Sequence, residues 1–334
     1  MDSTPDFRFR LAPPFGTVVT AMVTPFDPSG QLDLDGARDL AGWLTRDGWN
    51  DGLVVNGTTG ESITTTDAEK TAMVSTVAAA VGGRATVIAG VGVADTQHSI
   101  DLAQAAAEAG ADGLLVVAPY YCRPSQAGLL RHFTAVAEST SLPVMLYDIP
   151  KRTGVAISRE TFAAAAQHPQ IVAVKDAKGD LASSSWVMRH TDLTYYSGDD
   201  MLNLPLLSIG ATGFVSVVGH VAADLLRHLQ RCHQQGRTVQ AAGIHRQLLA
   251  IYEGMFRAPA AASVKAALAM QGLPGGSVRL PLLDLDDAES RQLSLDLAES
   301  GIPDRVMPAR AMVSAEATVY QSGGARPVLS LRLP

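Results

Sequence analysis

Short runs of aliphatic residues alternate along the chain with longer amphipathic stretches, at intervals of roughly 25 to 30 residues. The aliphatic runs predict eight strands, at residues 17–23, 52–55, 86–89, 113–118, 143–147, 171–175, 194–197 and 213–218. The stretches between them have helical period and predict helices at residues 37–46, 68–81, 96–108, 126–138, 159–167 and 182–190. Strict alternation of strand and helix indicates a parallel sheet. Eight such units favour an α/β fold closed into a (β/α)8 TIM barrel over an open, doubly wound sheet.

After the last predicted strand the pattern is helical only, at residues 222–234, 239–255 and 261–270, followed by a polar, acidic segment at residues 284–299. Proline and glycine interrupt the pattern beyond residue 301, which is typical of a poorly packed tail. We therefore predict four regions: an N-terminal extension (1–15), a barrel core (16–220) with the eighth helix following it, a C-terminal helical region (221–300) and an irregular tail (301–334).

The composition disfavours several classes of protein. The hydrophobic fraction of 47% and charged fraction of 18% suffice for a large core and exclude a disordered chain. A net charge of -7 without a basic stripe disfavours nucleic-acid binding. The chain has no basic start followed by an apolar leader, and no apolar stretch reaches about 18 residues, so we predict a soluble cytoplasmic protein that does not enter a membrane.

A metal centre is not expected. The chain has two cysteines, Cys122 and Cys232, and no CxxC pair. Cys232 and His228 would share one helix face, but no further ligands are in view, so a chance surface pair is the better interpretation.

Lys175 closes the apolar run IVAVK, where a barrel strand would end. The carboxyl ends of the strands and the loops after them line the active site of such barrels. A lysine in an apolar mouth loses hydration, so the pKa of its ammonium falls and a neutral, nucleophilic amine becomes available. Position alone leaves the alternative open that Lys175 extends to the rim or pairs with Asp176.

Polar residues follow three other predicted strands. Thr58 and Thr59 lie in GTTGES (residues 57–62), where glycines let the backbone approach a ligand and threonines offer N–H and hydroxyl groups. The same segment is also typical of a capped turn that leads into a helix. Tyr121 and Tyr147 are candidate proton carriers or rim packing, and Arg152 is a candidate carboxylate ligand or a solvated loop residue.

The motifs GTTGES, PYYCRPSQ, LYDIPKRTG, VAVKDAKG and YYSGDD, in this order, resemble those of the dihydrodipicolinate synthase family of class I aldolases. The resemblance extends from about residue 16 to about residue 300. It implies a lyase that condenses pyruvate with L-aspartate 4-semialdehyde through a lysine imine, on the route to lysine and diaminopimelate. It also implies a homotetramer, built as a dimer of dimers, and no cofactor beyond the covalent imine.

The resemblance assigns roles to eight residues. It implies an imine on Lys175, a proton relay of Thr58, Tyr147 and Tyr121, with Tyr121 reaching a neighbouring subunit's site, and substrate contacts from Thr59, Arg152, Val215 and Gly198. Among these, Thr59 would bind the pyruvate carboxylate through its N–H, Arg152 would receive the carboxylate of the second substrate, and Val215 would lie next to the imine.

Two alternatives remain open. One is another pyruvate-dependent aldolase or lyase with a different aldehyde, although relatives acting on sialic acid or sugar acids usually lack the arginine that stands at Arg152. The other is a non-catalytic barrel that serves as a binding or structural partner, which the intact set of candidate residues disfavours.

Feedback inhibition by lysine is predicted to be weak or absent. Some family members bind lysine at a subunit interface, and the matching positions here hold Asp67, Lys70, Ala94 and His98. Lys70 and His98 place cationic or potentially cationic groups where an ammonium ligand would have to bind. A steady-state assay with added lysine tests this, and strong inhibition at sub-millimolar lysine would contradict it.

Overall fold

The computed structural model describes residues 13–302. Eight strands form a closed barrel in which each strand pairs in parallel with both neighbours, and β8 closes against β1. The strands are β1 (Val18–Ala21), β2 (Gly52–Val55), β3 (Thr86–Gly90), β4 (Gly113–Val117), β5 (Val144–Asp148), β6 (Ile171–Asp176), β7 (Thr194–Ser197) and β8 (Gly213–Ser216). Each overlaps a predicted strand, and the predicted TIM barrel is confirmed.

Helices follow every strand and continue after β8. Those that alternate with the strands are α1 (Leu34–Leu44), α2 (Asp67–Val81), α3 (Thr96–Glu108), α4 (Gln126–Glu138), α5 (Pro150–Thr153), α6 (Arg159–Ala165), α7 (Leu181–His190), α8 (Asn203–Ser208) and α9 (Gly219–Gln234). The C-terminal helices are α10 (Thr238–Gln247), α11 (Leu249–Arg257), α12 (Ala260–Met270) and α13 (Asp287–Glu299).

The helices differ from the prediction in four places: at α5, at α8, at the pair α10 and α11, and at α13. The hydrophobic pattern has no signal for α5 or α8, because four and six residues are too few to show a helical period, and Pro205 lies within α8. The single helix predicted at residues 239–255 is wrong: it is divided at Leu248, which lies between the end of α10 and the start of α11. In the acidic segment, α13 begins after Asp286, which forms a capping box with Glu289.

The barrel interior is filled below its mouth by alternate, inward-facing side chains of the strands, mostly aliphatic, and by Phe15. Phe15 is fully buried, and its ring lies 6.4 Å from that of Tyr196. Gly113 leaves the space for it, because a Cβ at this position would come within 2.4 Å of the Phe15 ring. Polar groups that face the barrel axis are therefore concentrated at the carboxyl ends of the strands.

Residues 1–12 and 303–334, which contain most of the predicted N-terminal extension and of the predicted tail, lie outside the described residues. Phe15, the last residue of the predicted extension, belongs to the barrel interior. An aromatic ring closes the floor of the barrel before the first strand begins.

His220, in the first turn of α9, joins the carboxyl ends of the first and last strands. The Val23 N–H donates to its Nε2 (3.1 Å), and its Nδ1 lies 2.8 Å from the Val217 carbonyl. Since Nε2 accepts, the proton is on Nδ1 and the ring is neutral. Burial lowers the pKa of His220 to about 4, although the bond to Val217 opposes this shift.

Protonation of His220 should weaken the fold in acid. Its pKa in the folded state lies below the ordinary value, so its contribution is complete above about 6.5 and is lost as the pH falls towards about 4. The free energy of unfolding should fall by up to about 3 kcal/mol over this range because of this residue. Denaturant titrations at several pH values should show a smaller pH dependence for His220→Gln than for wild type.

His228→Gln is the matched control, because His228 is exposed on the same helix. It should keep the full pH dependence. An unchanged pH dependence in His220→Gln would contradict the prediction.

Candidate active site

A cavity of about 330 Å³ opens at the carboxyl ends of the strands. Its walls come from the loops after most of the strands and from the C-terminal helices, through Phe256, Pro259, Ala260 and Ala261. Of the eight predicted site residues, six line it: Thr58, Thr59, Tyr147, Arg152, Lys175 and Gly198. Closure of the barrel thus brings together groups that lie far apart in the sequence.

Lys175 is buried at the bottom of the cavity, with an exposed fraction of 5%. Its Nζ lies 4.1 Å from the centre of the Tyr147 ring. Burial, together with the positive charge of Arg152, lowers the pKa of the Lys175 ammonium to about 8, against the opposing charge of Asp200. A shift of this size raises the fraction of neutral amine at neutral pH by ~300-fold over an ordinary lysine. The side chain therefore has the character of a nucleophile.

Asp176 does not neutralise Lys175. Successive residues of a strand face opposite sides, and the Asp176 carboxylate lies behind the barrel wall, where it accepts hydrogen bonds from the Lys178 N–H (2.8 Å) and the Ser184 hydroxyl. Of the alternatives that position alone left open, neither the rim lysine nor the pair with Asp176 describes the structure.

Tyr147 is the inward-facing residue next to Lys175 on β5. Burial raises the pKa of its phenol to about 12, while the positive charge of Arg152 and a hydrogen bond with the Thr58 side chain oppose the shift. The phenol is protonated at neutral pH. It can thus donate a proton to an oxygen atom that reacts at Lys175, and the Thr58 hydroxyl can share that proton.

The loop at residues 57–62 is separate from the start of α2. Thr66 caps that helix, in a capping box with Glu69, so neither Thr58 nor Thr59 is needed as a cap. The Thr24 hydroxyl donates to the Gly60 carbonyl (2.6 Å), which attaches the loop to the segment that follows β1. Both threonines of the loop therefore remain available to the cavity that they line.

Arg152 lies on α5, which ends at Gly154 with φ of 74°. The residue is exposed and also lines the cavity, so its guanidinium lies at the mouth. The Gly154 carbonyl accepts a hydrogen bond from Arg123 Nε (2.9 Å), which fixes the end of this short helix. A cation held here can orient an anion that enters the cavity.

Tyr121 does not line the cavity of its own chain. It is 95% exposed and has φ of 69°, a conformation that bulky residues rarely adopt. Its neighbour Tyr120 lines the cavity instead, and burial raises the pKa of that phenol. The sequence motif contains both tyrosines, and spacing alone does not separate them.

Val215 lies in the barrel interior, and Gly198 lies beside Lys175. Val215 is a buried residue of β8 in the same interior cluster as Tyr147, one layer below the cavity, while Val217 lines the cavity itself. A Cβ at Gly198 would come within 2.9 Å of Lys175 Cγ. The absence of a side chain at Gly198 is therefore what gives Lys175 its space.

Asp200 is a further residue of the site that was not predicted from the sequence, although it belongs to the YYSGDD motif. Its buried carboxylate accepts hydrogen bonds from the N–H groups of Val217 (2.9 Å) and Val218 (3.0 Å) and from the Ser216 hydroxyl. Burial raises the pKa of Asp200. Asp200 thus connects the loop after β7 to the end of β8, and its charge acts on Lys175.

Comparison with known proteins places this geometry in a family. Residues 14–300 match the model of the dihydrodipicolinate synthetase family. The chain belongs to this family. A 4-hydroxy-tetrahydrodipicolinate synthase from Streptomyces coelicolor is 57% identical over 86% of this chain and 96% of its own length. A counterpart from Acidothermus cellulolyticus is 56% identical over 86% of this chain and 93% of its own length.

Solved structures of this family have a similar fold. A dihydrodipicolinate synthase from Bacillus anthracis superposes with a TM-score of 0.84 at 43% identity, covering 88% of this chain and all of its own. A structure of the enzyme from Cyanidioschyzon merolae, with lysine bound, has a TM-score of 0.85 at 39% identity, covering 87% of this chain and 99% of its own. The family resemblance that the motifs indicate is confirmed, and with it a lyase of the aldolase type.

Asp67, Lys70 and His98, on which the prediction of weak lysine feedback rests, lie close together on α2 and α3. The Asp67 carboxylate lies 2.9 Å from His98 Nε2 and 3.7 Å from Lys70 Nζ. Lys70 also donates to the Thr65 carbonyl and is largely buried. Asp67 is thus shared between two cationic or potentially cationic side chains, and the prediction of weak lysine feedback stays a prediction.

Within residues 13–302, no group of three or more His, Cys, Asp or Glu side chains is arranged to hold a metal ion. The same part of the chain has no helix of the length and apolar character that a bilayer crossing requires. Cys232 is buried in α9, and Cys122 is exposed.

The pKa of Lys175 can be measured by reductive methylation with formaldehyde and cyanoborohydride over a range of pH, followed by mass spectrometry of the Lys175 peptide. The initial rate should be half-maximal near pH 8, because only the neutral amine reacts. N-acetyl-lysine in the same reaction is the reference, with a midpoint near ~10.4. Coincidence of the two midpoints would show that the cavity does not desolvate the amine.

Proposed function

We propose that this chain is a 4-hydroxy-tetrahydrodipicolinate synthase, which condenses pyruvate with L-aspartate 4-semialdehyde in lysine and diaminopimelate biosynthesis. The observation that carries the proposal is the buried amine of Lys175, facing the Tyr147 phenol at the bottom of a cavity whose mouth holds Arg152. The names of its relatives at 50% identity and above support the same activity.

The first step is addition of the neutral Lys175 amine to the C2 carbonyl of pyruvate. Both hydrogens of the amine nitrogen pass in turn to the carbonyl oxygen, which leaves as water, so that an imine remains on Nζ. Tyr147 is protonated at neutral pH and shares a hydrogen bond with Thr58, which suits this pair to supply and recover the proton. Thr59, buried in the same loop, is assigned to hold the pyruvate carboxylate through its N–H.

The second step forms the carbon–carbon bond. Loss of a proton from C3 of the imine gives an enamine, whose C3 attacks the aldehyde carbon while the aldehyde oxygen takes up a proton. The amino group of the second substrate can then displace Lys175 from C2, which closes the ring and frees the lysine. No redox partner or cofactor is required, because the imine itself stabilises the carbanion.

Arg152 is assigned to the carboxylate of the second substrate. The guanidinium lies at the mouth, above Lys175, so an aldehyde that carries a carboxylate can be held with its carbonyl directed inward. Such positioning converts an encounter into an intramolecular reaction. Val215 and Gly198 are assigned to the pyruvate end, where one fills the layer below and the other leaves space beside the lysine.

Tyr121 is assigned to a neighbouring subunit. Its side chain is exposed, and its backbone is held in a conformation that carries a cost for a bulky residue. We infer that this cost is offset in a homotetramer, a dimer of dimers, where Tyr121 completes the proton relay of another chain. The cytoplasm is the proposed compartment, with small acidic metabolites as substrates and neither nucleic acid nor membrane as a partner.

Replacement of Arg152 distinguishes this activity from another pyruvate-dependent aldolase. In Arg152→Ala, kcat/KM should fall about a hundredfold for aldehydes that carry a carboxylate, because their orientation is lost, and should change little for neutral aldehydes. Lys151→Ala is the matched control, since Lys151 is an exposed cation on the same short helix. It should keep near wild-type activity.

Pyruvate chemistry should survive in the same variant. At a pH above the pKa of Lys175, incubation of Arg152→Ala with pyruvate and borohydride should still give an adduct mapped to Lys175. Equal losses for acidic and neutral aldehydes would favour a different aldolase, and a wild-type chain without any adduct would refute the imine mechanism.

A further inference from the structure

Glu61, in the loop at residues 57–62, is bound by the C-terminal part of the chain. Its carboxylate is fully buried and pairs with Lys265 Nζ of α12 at 2.6 Å. The other carboxylate oxygen accepts the N–H of Arg279 at 2.9 Å. Lys265 also donates to the Ser277 carbonyl (2.9 Å), which completes a buried set of charge-assisted hydrogen bonds across more than 200 residues of sequence.

The Arg279 guanidinium binds the segment that follows the loop. It pairs with both oxygens of Glu69 in α2, at 2.9 and 2.6 Å, and donates to the Thr64 carbonyl at 3.0 Å. Arg279 holds the pKa of Glu69 near 2, against the effect of burial. Residues 61 to 69 are therefore attached to the C-terminal region at three points: Glu61, Thr64 and Glu69.

Stability alone does not account for this arrangement. Glu61 has φ of 54°, a left-handed conformation that costs about 1 kcal/mol or more in a residue other than glycine. Burial lowers the pKa of Lys265, which shows that its charge is desolvated. A buried ion pair is often no more stabilising than apolar residues of the same size. What such a pair does provide is one fixed geometry for the groups attached to it.

The groups attached to Glu61 are those assigned to the reaction. The Glu61 N–H donates to the Thr58 carbonyl (3.2 Å), and the Ser62 N–H donates to the Gly57 carbonyl (3.4 Å). Thr58 and Thr59 lie within this closed turn and line the cavity. On the other side, Pro259, Ala260 and Ala261, one turn before Lys265, line the same cavity. One ion pair thus connects two walls of the site.

We propose that Glu61 and Lys265 are positioning residues, whose buried ion pair holds the Thr58 hydroxyl and the Thr59 N–H in place. The C-terminal helices thereby take part in assembling the active site. This inference rests on the proposed function, through the roles assigned to the two threonines. Loss of the pair should impair pyruvate binding and proton transfer while leaving the Lys175 amine intact.

The test uses a variant that removes the ion pair without leaving a buried charge. Glu61→Gln with Lys265→Met should fold with a melting temperature near that of wild type, since both partners become neutral. The KM for pyruvate should rise, and kcat/KM should fall about a hundredfold, as for a displacement of about 1 Å. The pH midpoint for methylation of Lys175 should stay near 8, as in wild type.

Two further variants separate positioning from general loss of structure. Lys265→Arg keeps the charge and should recover a large part of kcat/KM. Arg257→Met with Asp296→Asn removes another ion pair of the C-terminal helices, between α11 and α13, that does not contact the loop. It should keep wild-type kinetics for pyruvate. If the neutral double variant fails to fold, Glu61→Gln with Lys265→Leu replaces it, because it too leaves no buried charge.

Hydrogen exchange of peptides from residues 57–64 supplies a readout that does not depend on the reaction. Exchange should be faster in the Glu61 variants and unchanged in the Arg257 and Asp296 control. Wild-type kcat/KM and wild-type exchange in the Glu61 variants would overturn the proposal, as would an equal kinetic loss in the control. Failure of the proposed function is distinct: it would appear in the wild-type chain as no pyruvate adduct on Lys175.

Discussion

In the barrel sheet, Tyr147 of β5 lies in register with Lys175 of β6, and Asp148 lies in register with Asp176. Side chains alternate between the two faces of a strand, so this pairing directs the phenol and the amine inward and both carboxylates outward. A slip of one residue that brought Asp148 opposite Lys175 would place a carboxylate beside the amine, and the two would form an ion pair. The chemistry of the site depends on this register before it depends on any single side chain.

The carboxylates behind the wall have partners of their own. The Ile157 N–H donates to Asp148 at 3.1 Å, and Lys178 Nζ lies 3.4 Å from the same carboxyl group. Burial raises the pKa of Asp148 to about 6, with Lys178 opposing the shift. Inside the barrel, burial lowers the pKa of Lys175 and raises that of Tyr147. It makes the amine easier to deprotonate and the phenol harder, so each favours its uncharged form.

The hydrophobic pattern and the short motifs were sufficient to predict the barrel and most of the named residues that line its mouth. Each strand of the barrel is a compact apolar run, and Lys175 and Tyr147 stand where those runs end. The position of Tyr121 could not be predicted in the same way, because its exposure follows from a left-handed backbone angle rather than from composition. The break at Leu248 likewise has no marker such as proline or glycine.

Contacts made over long sequence distances could not be predicted from the chain. Glu61 and Lys265 are separated by 204 positions, one in a polar loop and the other in an alanine-rich helix, and neither alone indicates the other as its partner. Asp200 is similar, since its partners are backbone N–H groups at the end of another strand. Pattern analysis finds residues that face a cavity, but the groups that hold those residues are defined only once the barrel closes.

The aromatic floor of the barrel leaves one route by which both substrates must enter the cavity. Phe15 and the side-chain layers above it close the lower end, so the cavity is blind and molecules enter and leave through the mouth. Lys175 lies at the bottom and Arg152 at the opening. The enamine exists only after the 2-oxo acid has reached Lys175. On the proposed chemistry, the 2-oxo acid must therefore enter before the aldehyde, which makes the kinetic mechanism one of compulsory order.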